Sequence, residues 1–282
     1  MHLSLTKHHG LGNDFLVVES GSLPEGSGRE EPSSRPSQWG ALDWADFARR
    51  VCDRRTGVGA DGLLIMTRNG THRLGMILYN ADGSRAEMSG NGIRCLVQAA
   101  HHDGPDGAEY LVDTDAGERR VSVVRRSDDN THLLSVDMGF VTDLPEPNNW
   151  AALQCHPDRP VRHSSLGNPH SVVGVDDVSA VDLHALGNLV PHVNLEIIEP
   201  GPEPHAITMR VHERGAGITM ACGTGACAAA EAAVAWGLVP ASAPEVLVHM
   251  DGGDALVRVD GSRRHITLIA EATFVATITV AA

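Results

Sequence analysis

Two short stretches of the chain carry the same chemistry. Residues 85–95 read RAEMSGNGIRC, and residues 218–227 read ITMACGTGAC. Aligned on their glycines, Ser89-Gly90-Asn91-Gly92 falls on Cys222-Gly223-Thr224-Gly225. Each places a small nucleophilic side chain ahead of Gly-x-Gly and an apolar run. Ile93, Leu96, Val97 and Ala100 recur at i, i+3, i+4 and i+7, which predicts a helix after the first Gly-x-Gly. The run ACAAAEAAVAW after the second predicts another, with Gly237 as its C-cap. A side chain just before such a helix lies beside unpaired backbone N–H groups and the positive end of the helix dipole, which bind anions, carboxylates included. The glycines let a ligand come close to the backbone. A cysteine there is expected to have its pKa lowered from about 8.5 into the range of a base. Two such groups on opposite faces of one α-carbon would make a two-base racemase: one removes the α-proton and the other returns a proton to the opposite face. Two facing helix starts would hold the carboxylate between them.

No cofactor motif accompanies these stretches. There is no G-x-G-x-x-G after a strand, no P-loop and no metal-ligand spacing, so neither cofactor nor metal is expected. A thiolate and backbone dipoles would then have to stabilise an enolate-like transition state. The formal net charge of -14 argues against nucleic-acid and anionic-membrane partners, which need clustered Lys and Arg. No apolar run approaches the roughly 20 residues of a membrane span. The first residues, MHLSLTKHHG, lack the basic start and continuous apolar core of a signal peptide. Five cysteines, odd in number and without paired spacing, suit a reducing compartment. The expectation is a soluble cytoplasmic protein acting on a small-molecule amino-acid substrate, with a homodimer possible.

The elements that must position these residues can be read next. At 42% hydrophobic and 21% charged residues the chain can pack a core, and at 4% aromatics that core is built from Val, Leu, Ile and Ala. LSLTKHHG and DFLVVES read as strands joined through Gly10-Leu11-Gly12-Asn13. Residues 20–38, rich in Ser, Pro, Gly and Glu, read as a flexible surface insertion without chemistry. LDWADFARRVCDRR reads as a helix, with Asp43 as N-cap and Leu42, Phe47 and Val51 on its buried face. GLLIM, RLGMILYN, EYLVDT, RRVSVV and HLLSVDMG read as strands, as do VRHSS, SVVGV and ITMRVHE in the second half and VLVHM, ALVRV, HITLIA and FVATITV at the end. NADGS is a turn signal. The halves thus replay one pattern, a strand set around one small-residue helix that begins at Gly-x-Gly. Most of the sixteen histidines, including the pairs His8-His9 and His101-His102, read as surface residues. Cys52, Cys95, Cys155 and Cys227 read as inert or buried thiols.

Eight strings then resemble the diaminopimelate epimerase family and run in its order along nearly the whole chain: GLGNDF (10–15), GVGADG (57–62), YNADGS (79–84), SGNGIRC (89–95), GNPH (167–170), VN (193–194), HERGAG (212–217) and ACGTGAC (221–227). The resemblance implies an α/β fold of two pseudo-symmetric domains, each an antiparallel β-sheet or barrel around a central α-helix. It puts residues 1–130 plus 271–282 in one domain and 131–270 in the other. It implies interconversion of LL- and meso-2,6-diaminopimelate in the cleft between them, without pyridoxal phosphate, in lysine and peptidoglycan biosynthesis. By motif, Cys222 matches one catalytic cysteine, and His170 and Glu213 match polar residues beside the catalytic pair. Asn13, Asn80, Asn168, Asn194, Glu213 and Arg214 match substrate-binding positions. Gly90, Asn91, Gly223 and Thr224 fall at the helix starts that hold the reacting carboxylate.

One departure is central. Ser89 stands where the family has its second catalytic cysteine, and a hydroxyl is a far weaker acid than a thiol. Three readings compete: a deliberate Cys-to-Ser replacement that slows turnover or prevents thiol oxidation, a natural member with altered chemistry, and a relative that binds without catalysing. The first is favoured because the rest of the polar site is retained. Altered chemistry would mean one-sided exchange, elimination, or racemisation of another polar amino acid. Ile218, where a polar residue is expected, also leaves the substrate open.

Overall fold

The computed structural model describes residues 2–20, 42–101, 104–127, 130–262 and 264–281. Apart from Ser20, the expected insertion at 20–38 lies outside the described residues. The first half runs β1 (His2–Gly10), β2 (Asn13–Glu19), α1 (Trp44–Cys52), β3 (Gly62–Gly70), β4 (Arg73–Asn80), β5 (Arg85–Ala86), α2 (Gly90–His101), β6 (Glu109–Thr114), β7 (Gly117–Arg126), β8 (Thr131–Phe140) and β9 (Thr142–Asp143). The second runs β10 (Val161–Ser165), β11 (Pro169–Gly174), α3 (Leu183–Leu189), β12 (Asn194–Pro200), β13 (Ala206–Glu213), β14 (Gly217–Thr219), α4 (Gly223–Ala235), β15 (Val246–Met250), β16 (Gly253–Asp260) and β17 (His265–Ala281).

The pairing rules of the halves coincide. In the first, β1–β2, β3–β4, β6–β7 and β7–β8 are antiparallel, while β2–β3 and β4–β6 are parallel. In the second, β10–β11, β12–β13, β15–β16 and β16–β17 are antiparallel, while β11–β12 and β13–β15 are parallel. Each half closes into an eight-stranded ring because β17 pairs with β8 through Thr273 and with β1 from Thr273 onward, and β9 continues β8 onto β10. Closure leaves little sheet edge to protect. HITLIA and FVATITV, expected as separate strands, form the single strand β17, since no glycine or proline interrupts Glu271-Ala272-Thr273.

Each ring encloses one helix. Ile93, Leu96, Val97 and Ala100 of α2 are buried, as the spacing predicts. In α4, Ala226, Ala228, Ala229, Ala230, Ala232 and Ala233 are wholly buried. A helix apolar on every side needs walls on every side, and alanine lets the surrounding strands come close. Gly237 follows α4 with φ 73°, the left-handed C-cap position. Outside the rings, α1 is capped by the Asp43 carboxylate, which accepts from the N–H groups of Ala45 and Asp46, and it buries Phe47 and Val51 with Leu42 half-buried beside them.

Most of the described histidines are exposed or half-buried, as read, but both named pairs contribute an exception, and His102 lies outside the described residues. His8, His101, His132, His170 and His212 are buried. Alternation along a strand sends neighbours to opposite faces, so of the pair on β1 His8 points inward and His9 outward. Burial lowers His8 to about 4, and its Nδ1 meets Gln98 at 2.9 Å.

Candidate active site

The starts of α2 and α4 meet at the centre of the molecule. A methyl group added to Gly90 would lie 3.1 Å from the Cα of Gly223, and one added to Gly223 would lie 3.0 Å from the Cα of Gly90. Only glycine allows the helices to approach this closely, and both positions require it for that reason. Ser89 Oγ accepts from Gly92 N at 3.0 Å, and Cys222 Sγ accepts from Gly225 N at 3.3 Å. The two side chains therefore cap their helices in the same way.

A cleft of about 720 Å³ opens over this junction. Twelve of the residues singled out by sequence line it: Ser89, Gly90, Asn91, Cys222, Gly223 and Thr224 at the helix starts, and Asn13, Asn80, Asn168, Asn194, Glu213 and Arg214 around them. Loop and strand ends deliver them. Asn13 and Asn168 follow Leu-Gly turns in which Gly12 and Gly167 take φ 81° and 100°. Asn80 begins the NADGS turn and donates to Ser84 Oγ at 3.0 Å. Asn194 starts β12, accepting from Arg214 N at 2.9 Å and donating to the Pro169 carbonyl at 3.0 Å. Arg214 reaches across the cleft to Glu87 at 3.4 Å.

His170 is the exception. It is wholly buried behind the cleft wall, with Nδ1 2.6 Å from Glu196 Oε1 and Nε2 2.9 Å from Asn168 Oδ1. Asn168 in turn donates to Thr224 Oγ1 at 3.2 Å, and Thr224 Oγ1 lies 3.5 Å from Cys222 Sγ. Glu196 Oε2 is buried without a hydrogen-bond partner. Glu213 accepts from Thr219 Oγ1 at 2.5 Å and lies against the Cys222 thiol.

These carboxylates reverse the expected thiol activation. The Gly225 N–H does favour a Cys222 thiolate, but burial, followed by the charges of Glu213 and Glu196, pushes the thiol well above its ordinary value. Burial likewise raises Glu213 and Glu196 above the usual carboxylate range. Cys222 is therefore held as a thiol, with two carboxyl groups beside it that can exchange a proton with it.

The Ser89 side lacks this equipment. Strand register makes Phe15 opposite Gly62 the counterpart of His170 opposite Asn194. Two residues further along, Leu64 takes the place of Glu196. A methyl added to Gly92 would meet Leu64 Cδ2 at 3.4 Å, while one added to Gly225 would meet Glu196 Oε1 at 2.8 Å. The duplicated frame thus carries His170 and Glu196 on one face of the junction and hydrocarbon at their two counterpart positions on the other.

The sequence reading missed three residues. Glu196 shares a strand face with Asn194 by simple alternation, which was the available signal. Asp61 and Arg54 line the cleft and form a charged bracket: Asn13 Nδ2 donates to Asp61 Oδ2 at 2.7 Å, and Arg54 Nη2 lies 2.6 Å from Asp14 and 2.7 Å from Asp61. Their contacts span up to 48 residues, so no local pattern announces them. Among the described residues no group of three or more His, Cys, Asp or Glu is placed to hold a metal ion, and no helix is long and apolar enough to cross a membrane.

Comparison with known proteins agrees with this geometry. A family model described as diaminopimelate epimerase matches residues 5–143 and 163–275. A diaminopimelate epimerase of Halothermothrix orenii is 34% identical over 276 residues, 90% of each chain. One from Synechococcus elongatus is 38% identical over 285 residues, 93% of each. Among solved structures, a phenazine biosynthesis protein of the PhzF family from Bacillus anthracis superposes with a TM-score of 0.71 at 12% identity over the whole of both chains, a likeness of fold alone.

Proposed function

We propose, for a chain that belongs to the diaminopimelate epimerase family and is thereby an amino-acid epimerase, that its substrate is 2,6-diaminopimelate and its reaction the interconversion of the LL and meso forms. The observation that carries this reading is the contact of Gly90 with Gly223, which puts two capped helix starts and the side chains of Ser89 and Cys222 around one small volume. A carboxylate there accepts backbone N–H groups from both helices, and its α-carbon lies between the two side chains. Proton loss forms a flat carbanion stabilised through that carboxylate; return of a proton from the opposite side inverts the centre. Cys222 serves as the thiol acid/base, sharing its proton with Glu213, while His170 and Glu196 support it through Asn168 and Thr224. Ser89 occupies the second carrier's place and slows that half of the reaction, because a hydroxyl is a far weaker acid than a thiol and the counterparts of His170 and Glu196 on its side are Phe15 and Leu64. Asn13, Asn80, Asn168, Asn194 and Arg214 bind the polar groups of the amino acid, Arg214 as a carboxylate clamp. The residues argued here use no cofactor, and the family places such a reaction in lysine biosynthesis.

Solvent exchange tests the reading. The protein is incubated in D2O with LL- or meso-diaminopimelate, and deuterium at the α-carbons and the stereochemistry of the product are followed. Slow epimerisation with label at the inverted centre is expected. Label in one stereoisomer without inversion supports the second reading, one-sided exchange, which Leu64 and Phe15 on the Ser89 side favour. Binding without label indicates a protein that binds but does not catalyse. Neither binding nor label refutes diaminopimelate as substrate and directs the search to other polar amino acids.

A further inference from the structure

Arg94 is wholly buried in the first turn of α2 and meets no carboxylate of the described residues. Its three bonds go to neutral oxygens: Nη1 donates to the Gly90 carbonyl at 2.8 Å, Nη2 to Asn91 Oδ1 at 2.8 Å, and Nε to the Glu271 carbonyl at 3.3 Å. Burial lowers it to about 10, which leaves it a cation at neutral pH. This is an expensive arrangement, since a buried charge is ordinarily paired. It is also the wrong end of the helix for a cation, because the macrodipole already makes an N-terminus positive. Neither α2 nor α4 has an acidic residue in its first turn. Three sources of positive potential, two helix starts and one guanidinium, thus converge on the Gly90–Gly223 contact. In the second half Cys227 stands where Arg94 stands in the first, and it lies close enough to feel that charge.

We propose that Arg94 is a positioning residue whose counter-ion is the reacting carboxylate of the substrate. It rests on the epimerase reading above. Arg94 does not touch the amino acid. It fixes Gly90 and the side chain of Asn91, whose Nδ2 bonds both Asn13 Oδ1 at 3.1 Å and the Ala221 carbonyl at 3.0 Å, locking the two helix starts together. Its charge stays unanswered until a carboxylate enters the cleft. That charge counts for more once α-proton loss places additional negative charge on the carboxylate oxygens, so its main effect is on the rate of proton removal. Glu213 and Glu196 do not neutralise it, since both lie on the Cys222 side and burial disfavours their charged forms.

The test uses the full chain, as it stands and with Ser89→Cys, carrying in turn Arg94→Gln, Arg94→Lys, Cys227→Asp and Cys227→Asn. Solvent-exchange kcat and KM with meso-diaminopimelate, calorimetric affinity for it, and thermal unfolding are measured. Arg94→Gln is expected to lower kcat for exchange by about tenfold, less than the loss of a donor in direct contact because the charge acts through Gly90 and Asn91, with a smaller change in KM. Arg94→Lys restores most of kcat. Cys227→Asp keeps Arg94 and supplies an internal counter-ion, so affinity falls about tenfold, and Cys227→Asn, of the same size and without the charge, keeps the parent's affinity. If Arg94→Gln does not fold, Cys227→Asp decides alone; parental exchange and affinity in Cys227→Asp overturn the proposal. Parental kcat in Arg94→Gln overturns it as well, as does Arg94→Lys falling with Arg94→Gln while Cys227→Asp behaves as the parent, which would make Arg94 a packing strut. If the parent and its Ser89→Cys form neither bind nor exchange diaminopimelate, the epimerase reading itself falls and this proposal with it.

Discussion

Replacing Ser89 with cysteine should raise the epimerisation rate by several orders of magnitude. Sulfur fits the place, because Ser89 Oγ already caps Gly92 N at 3.0 Å as Cys222 Sγ caps Gly225 N at 3.3 Å. The change therefore alters acidity more than geometry. On the Cys222 side, Glu213 lies against the thiol and Glu196 lies beneath it. On the Ser89 side Leu64 holds the place of Glu196, Phe15 that of His170 and Asn80 that of Glu213, and none of the three is an acid or base. A serine hydroxyl so placed contributes little to proton transfer. A positioned acid or base is worth about 10²–10⁴ in rate, or roughly 3–5.5 kcal/mol of barrier. A thiol, with an unperturbed pKa near 8.5, recovers most of that through its own acidity and the α2 N–H groups. The assay follows the LL-to-meso ratio together with deuterium incorporation under identical conditions for both proteins. Equal rates would mean that residue 89 carries no proton, and the two-base geometry would be wrong. An increase in exchange without inversion would place the defect elsewhere on that face.

Three further outcomes follow from other contacts. Gly90→Ala or Gly223→Ala drives a methyl to about 3 Å from the facing helix start, so either should destabilise by about 1–3 kcal/mol and cut substrate affinity; a melting temperature equal to the parent's would show that the helices do not meet there. Asp61→Asn weakens the acceptor held by Asn13 Nδ2 and one arm of the Arg54 bracket, and should raise KM about tenfold with kcat less affected, checked by steady-state kinetics. Glu213 starts from an unfolded value near 4.5 and is raised by burial; a carboxyl raised on folding stabilises fully below its unfolded value and loses that contribution as pH climbs through the folded one. Glu213→Gln should therefore match the parent's melting temperature near about pH 4, exceed it near about pH 8, and abolish exchange; parallel pH profiles in calorimetry would contradict the buried-carboxyl assignment.

What could be read from the chain follows the range of the interaction involved. α2 and α4 were legible because Gly-x-Gly and helical spacing are local, and their enclosure followed from small-residue content. The cap at Asp43 and the turns at Gly12 and Gly83 were local in the same way. Twelve of the thirteen site residues line one cleft because motifs mark positions even when their contacts are distant. Three things escaped. β12 and α3 carry weak patterns between stronger neighbours. The Asp61–Arg54 bracket joins three separate elements across sequence. The direction of the Cys222 shift depended first on burial and then on Glu213 and Glu196, a depth that was invisible until the strands were placed.

The repeat explains this uneven legibility and sets the shape of the chemistry. Leu11-Gly12-Asn13 and Leu166-Gly167-Asn168 join the corresponding strands in the two halves, and Ser89 and Cys222 form the same cap. Duplication supplies two helix starts that meet at Gly90 and Gly223 at no extra cost in folding information, and a planar carbanion needs two opposed faces. Identical faces would give two thiols with the same environment and no reason for one to hold a proton while the other does not. Replacing Leu64 by Glu196 and Phe15 by His170 in the second half breaks that degeneracy. Arg94 against Cys227 breaks it again at the helix junction. The symmetric frame therefore provides geometry and the asymmetric substitutions provide direction, so exchanging Leu64 for glutamate in a Ser89→Cys background should blunt the difference between the two faces rather than simply add activity.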